Sequence, residues 1–143
     1  MKTDQSAELA VAVRLGEVLG RLLRMLRRAH VSPLSSGSMS VLATVVRRGP
    51  IRLGELADRE GVTPATLSRI VTALEREGFT TRRTDPADRR AAFLAATPAG
   101  QGAVAELLEA RADVLVAKMA SLSAADAAVL VAGLDVIERL IIE

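Results

Sequence analysis

The sequence predicts a mainly α-helical fold with a small β component, in the α+β class. Three observations carry that prediction. Apolar residues recur at steps of three and four along most of the 143 residues. Two threonine-proline pairs, Thr63-Pro64 and Thr97-Pro98, each read as a helix cap followed by a proline at the first helical position. Between the helices they open lie two short strand-like runs around a polar turn.

Taken in order, Ser6 to His30 reads as a long helix. Leu15, Val18, Leu19, Leu22, Leu23 and Leu26 share one side, and Arg14, Glu17, Arg21, Arg24 and Arg28 the other. Gly16 and Gly20 lower its helix propensity. Ser32-Pro33 ends it, because the residue before proline is disfavoured in the helical region. Ser35-Ser36-Gly37-Ser38 offers N-caps for a second helix with Met39, Leu42, Val45 and Val46 on its apolar face. Gly49-Pro50 stops it, and Ile51-Arg52 is a short extended piece.

Leu53 to Glu60 is a two-turn helix burying Leu53, Leu56 and Ala57, with Gly61 at the position of a left-handed C-cap. The helix after Thr63-Pro64 buries Leu67, Ile70, Val71 and Leu74 and stops at Gly78. Phe79–Arg83 and Ala91–Ala96 form the hairpin around Asp85-Pro86-Ala87-Asp88-Arg89-Arg90. A helix runs from Pro98 to about Leu122. Ser123-Ala124-Ala125-Asp126 resembles a capping box with Asp in the Glu/Gln place. The last helix carries Leu130, Leu134, Ile137 and Ile141 in one stripe. Val129, Val131, Val136, Leu140 and Ile142 widen it beyond what a solvent-exposed terminal helix needs.

Composition excludes several function classes. With no cysteine there is no disulfide, thiolate site or thiol switch. A single histidine, His30, leaves no histidine-rich metal set, so neither metal nor cofactor is expected. The only aromatic residues, Phe79 and Phe93, are too few for a platform stacking single-stranded nucleic acid. Acids in Met1–Glu8 and the lack of a membrane-length apolar run predict a soluble, cytoplasmic protein with no membrane partner.

The net charge of +2 hides a division. From Arg14 to Arg90 there are 15 arginines and 8 acids, a balance of +7, and the remainder is at −5. A basic middle between acidic ends fits a phosphate-binding surface.

Leu53 to Gly78 is helix, tight turn, helix. With its apolar stripe buried, the second helix presents Ala65, Ser68, Arg69, Thr72 and Arg76, with Pro64 at its start and Thr66 at the edge. Small hydroxyl residues backed by arginine suit a helix lying in the major groove. There hydroxyls meet base edges and phosphates, and an arginine bonds two guanine acceptors at once. Arg82, Arg83, Arg89 and Arg90 then cluster on the hairpin, where a wing would follow the minor groove. Asp85 and Asp88 are expected to pair with nearby arginines, and Asp88 to hold the loop's shape.

The order of elements, the run Asp85-Pro86-Ala87-Asp88-Arg89-Arg90-Ala91, Leu94 and Thr97-Pro98-Ala99-Gly100 resemble the MarR (multiple antibiotic resistance regulator) family. Leu53-Gly54-Glu55-Leu56-Ala57 and Leu74-Glu75-Arg76-Glu77-Gly78-Phe79 fit as well, while Ala96 stands where the family usually has Leu. The resemblance implies a winged helix-turn-helix with flanking N- and C-terminal dimerisation helices. The expected division is 1–34 for the N-terminal dimerisation helix, 35–97 for the DNA-binding domain and 98–143 for the C-terminal dimerisation helices. It further implies a homodimer on a pseudo-palindromic double-stranded operator, repression, and release by a small aromatic or anionic ligand. No ligand-contacting residue is assigned.

Two other classes compete with this reading. An enzyme would need a nucleophile–base pair, a metal set or a phosphate-cradling loop, and the sequence offers none. A winged-helix adaptor for protein contacts is the alternative that the fold itself allows.

Overall fold

The computed structural model describes residues 2–28, 32–84 and 92–141. Its elements are α1 (Lys2–Arg27), α2 (Ser36–Arg48), β1 (Ile51–Arg52), α3 (Leu53–Glu60), α4 (Pro64–Arg76), β2 (Thr80–Thr84), β3 (Ala92–Ala96), α5 (Pro98–Met119) and α6 (Ala124–Ile141). The mainly helical class with a small sheet is borne out. His30 and the wing residues Asp85, Asp88, Arg89 and Arg90 lie outside the described residues. Two compact units divide the chain: residues 30–109, and residues 1–29 with 110–143.

In the first unit α2, α3, α4 and the sheet close around one core. Leu42, Val45, Leu56, Leu67, Val71, Leu74 and Leu94 are fully buried in it. The i, i+3, i+4 spacing that predicted amphipathic helices thus corresponds to their packed faces.

The sheet has three antiparallel strands in the order β1-β3-β2. Thr80 pairs with Ala96, Arg82 with Leu94 and Arg83 with Phe93, and on the other side of β3 Ile51 pairs with Leu94 and Arg52 with Phe93. The sequence yields the hairpin but not the third strand, because two residues have no readable period.

Helix ends in this unit follow local chemistry. The Ser35 hydroxyl accepts from the Ser38 N–H at 3.1 Å and opens α2. Gly61 sits in the left-handed region at φ 61°. Its N–H donates to the Asp58 carbonyl at 3.2 Å, and the next N–H, of Val62, reaches back to Ala57 at 3.1 Å. That pair of bonds is a Schellman ending. α4 ends the same way: Gly78 has φ 78°, its N–H donates to Glu75 at 3.0 Å, and the Phe79 N–H donates to Leu74 at 2.9 Å.

The second unit contains α1, the later part of α5, and α6. Its helices make few close contacts with one another, and their large apolar side chains stay open. Leu9, Val11 and Val13 on α1, Val116 on α5, and Val129, Leu134 and Leu140 on α6 are each at least half exposed. The Ser123 hydroxyl caps α6, accepting from the Asp126 N–H at 3.1 Å. It also donates to the Asp126 carboxylate at 2.6 Å. The shorter Asp therefore meets the hydroxyl of the cap, where a Glu would reach the cap's backbone N–H. No helix among the described residues is long and apolar enough to cross a membrane.

Candidate nucleic-acid interface

α4 is positioned by its ends and its back. Thr63 caps it, its hydroxyl accepting from the Thr66 N–H at 3.2 Å and donating to the Thr66 hydroxyl at 3.0 Å. Pro64 follows at the first turn. Leu67, Val71 and Leu74 fix the rear of the helix in the core. Thr63→Ala should remove the cap at about 1 kcal/mol, read as a lower midpoint of thermal unfolding; an unchanged midpoint would show the cap to be idle.

α3 is anchored by a group that nothing in the sequence singles out. The Glu60 carboxylate accepts from the Ser40 hydroxyl at 2.8 Å and from the Thr44 hydroxyl at 2.6 Å. The last turn of α3 is thereby tied to α2 across a gap in sequence that no local pattern reveals. Thr44 in turn accepts from the Arg47 guanidinium at 3.3 Å.

The opposite face of α4 is open. Pro64, Ala65, Ser68, Arg69, Thr72 and Arg76 are exposed, and Thr66 is half-buried. Ala65, Arg69, Thr72 and Arg76 follow at steps of four, three and four, so they form one row with Ser68 beside it.

The members of this row differ in how free they are. Arg69 has no hydrogen bond or ion pair with any described residue. Thr72 donates its hydroxyl proton to the Ser68 carbonyl at 2.9 Å, which leaves its oxygen as an acceptor. Arg76 pairs with Glu77 at 3.2 Å, and its side chain is 78% exposed. An exposed pair of this kind is worth about 0–1 kcal/mol and can exchange for a phosphate.

The hairpin arginines separate. Arg82 lies in the Ile51–Leu94 row, on the core side of the sheet, and its Nε meets the Glu75 carboxylate of α4 at 3.1 Å. It is thus a strut between α4 and β2, not one of the free wing cations that the sequence suggests. The reason is register: adjacent strand residues point to opposite faces, so Arg82 and Arg83 cannot act as one cluster. Arg83 is exposed on the outer face.

Behind α4 the start of α5 closes the site. The Thr97 hydroxyl donates to the Gly78 carbonyl at 2.6 Å and accepts from the Gly100 N–H at 3.1 Å. The Thr97 N–H donates to the Phe79 carbonyl at 3.0 Å. One threonine therefore caps α5 and holds the exit of α4. Among the described residues no group of three or more His, Cys, Asp or Glu could hold a metal ion.

Comparisons with known proteins agree with this arrangement. Residues 34–92 match the model of a family described as the MarR family. An uncharacterized HTH-type transcriptional regulator of Mycobacterium leprae is 33% identical over 98% of this chain and 97% of its own length. A transcriptional regulator of Pseudomonas aeruginosa superposes with a TM-score of 0.83 at 28% identity, covering 95% of this chain and 97% of that one. The PcaV transcriptional regulator of Streptomyces coelicolor, solved in complex with its natural ligand, gives a TM-score of 0.60 at 26% identity, with 88% of each chain covered.

Proposed function

This chain belongs to the MarR family, and from that premise we propose that it is a homodimeric, sequence-specific repressor released from its operator by a small molecule. The family's known members are DNA-binding transcriptional regulators and not enzymes. The observation that carries the reading is the open row on α4, with its back fixed in the core and Arg69 left without a partner among the described residues. Pro64, Ala65, Thr66, Ser68, Arg69, Thr72 and Arg76 are the major-groove contacts of this proposal. Arg89 and Arg90 are its minor-groove contacts, and Asp88 shapes the wing.

In the same proposal residues 35–97 read DNA, and 1–34 and 98–143 pair two chains. The open apolar side chains of α1 and α6 support that assignment. A two-fold pair would place its α4 helices about 34 Å apart, one turn of the duplex, on a pseudo-palindromic site. The ligand-bound PcaV structure supports ligand release as the mode of control. A cavity of about 300 Å³ between Leu34, Met39, Phe79, Ala103 and Glu106 is of a size to seat a small aromatic compound. A repressor of this kind works in the cytoplasm.

The test is titration with duplex DNA at several salt concentrations. Binding through phosphates weakens steeply as salt rises. An absence of salt-sensitive binding to any duplex, the chain's own upstream region included, would favour the protein-binding adaptor instead. Arg69→Ala should weaken binding by about 1–3 kcal/mol and relax the preference at one position of the site. If selection from random duplexes returns the same site at the same affinity for this variant, Arg69 reads no base.

A further inference from the structure

The cavity beside the start of α5 has a wall of unusual composition. Ala99, Gly102, Ala103 and Glu106 line it at steps of three, one and three, so they form one stripe of the helix. The neighbouring stripe of Gly100, Val104 and Leu107 is the one buried in the core. Three of the four wall residues carry a methyl group or less, which is what leaves about 300 Å³ open. A Cβ at Gly102 would meet nothing within 4 Å. Buried Met39 and half-buried Leu34 and Phe79 add apolar surface to the cavity. Glu106 is the one side chain with a formal charge among the described residues that line it. It is exposed, and its carboxylate has no hydrogen bond or ion pair with any described residue.

We propose that this cavity selects a small organic cation, an amine or quaternary ammonium on an aromatic body, with Glu106 as its counter-charge. This rests on the reading of ligand release above and names the class of ligand, which becomes cationic and not anionic.

Charge complementarity carries it. Small-molecule sites combine a mostly apolar wall with a few polar groups that fix orientation. Here the apolar wall takes the body of the ligand and the unpaired carboxylate takes its charge. The Met39 thioether and the Phe79 ring suit an aromatic body, since sulfur and ring edges both attract aromatic faces. An anionic ligand would bring like charge against Glu106, which is how a site rejects a wrong partner. The cavity also has a route to α4 through Phe79. The Phe79 N–H donates to the Leu74 carbonyl at the end of α4 at 2.9 Å, and the Phe79 carbonyl accepts from the Thr97 N–H at 3.0 Å. A ligand pressing on Phe79 therefore acts on the backbone that ends α4.

The experiment uses the full chain and three probes of one ring isomer: naphthylmethylammonium, naphthylmethanol and naphthoate. Calorimetry gives their affinities for the wild type, Glu106→Gln and Gly102→Leu, and a duplex recovered by selection from random sequences reports release. The wild type should bind the cation most tightly and the anion least. Glu106→Gln should weaken the cation about fivefold, the upper end for an ion pair open to water, and leave the alcohol unchanged. Gly102→Leu fills the cavity and should abolish binding of all three without lowering the melting temperature. Equal affinities for the three probes, tighter binding of the naphthoate, or no binding of the cation at millimolar concentration would overturn the cationic class. A cation whose affinity ignores both substitutions would overturn the site. Selective cation binding that leaves the duplex affinity unchanged would keep the site and remove ligand release from the function proposed above.

Discussion

Gly100→Ala should destabilise the unit of residues 30–109 by about 1–3 kcal/mol or more, the range for forcing an extra methyl into a packed site. A Cβ at this position would lie 2.1 Å from the Phe79 carbonyl oxygen and 3.2 Å from Leu42 Cδ1. The obstruction is backbone, so no side chain can swing aside. That same carbonyl accepts the Thr97 N–H at 3.0 Å. Moving it would therefore loosen both the cap of α5 and the exit of α4. The thermal midpoint should fall by roughly 5–10 °C for a chain of this size. Gly102→Ala, two residues on, is the control. Nothing lies within 4 Å of a Cβ built there, so alanine's better helix propensity should leave the protein as stable or up to about 1 kcal/mol more so. Equal midpoints for the two variants would refute the close approach.

On the dimeric reading proposed above, Leu134→Glu should keep two chains apart and thereby abolish tight operator binding. Leu134 is 51% exposed on α6, in a helix whose apolar side chains find few partners within the chain. A carboxylate there would have to lose its water when a second chain covers the face, at a cost that no nearby partner offsets. Two linked reading helices gain affinity because the second binds at high effective concentration. Loss of that linkage typically lowers affinity by about 10²–10⁴-fold. Sedimentation should show a monomer for the variant and a dimer for the wild type. The wild-type melting temperature should also rise with protein concentration, as it does for a folded dimer in equilibrium with unfolded chains. A concentration-independent melt, with the variant binding DNA as the wild type does, would assign the apolar face to something other than self-association.

The sequence was a good guide wherever the controlling interaction is local. Thr63-Pro64, Gly61 and Gly78 act within one helical turn of themselves, so their roles follow from residue type and spacing. The buried stripe of Leu67, Val71 and Leu74 follows from helical period alone. The open row of Ala65, Arg69, Thr72 and Arg76 is its geometric complement. The family motif Thr97-x-x-Gly100 was legible as a pattern, but its reason was not. Only the fold shows that the glycine makes room for the Phe79 carbonyl and that the threonine bonds Gly78.

The arginines mark the boundary. In sequence Arg82 and Arg83 are equivalent neighbours in a basic hairpin. Strand register then turns one to Glu75 and the other to Phe93, a choice made by pairing with a strand about ten positions further on. Glu60 is similar: in sequence it is one more exposed acid at a helix end, yet hydroxyls on α2 make it an anchor. By itself, then, the sequence determined the mainly helical class, the helix-turn-helix, its caps and the exposed face of its second helix, because these depend on periods and turns a few residues long. The tertiary structure decided the third strand, the pairing of the hairpin cations and the contact at Gly100, because each depends on two distant segments meeting at a fixed register.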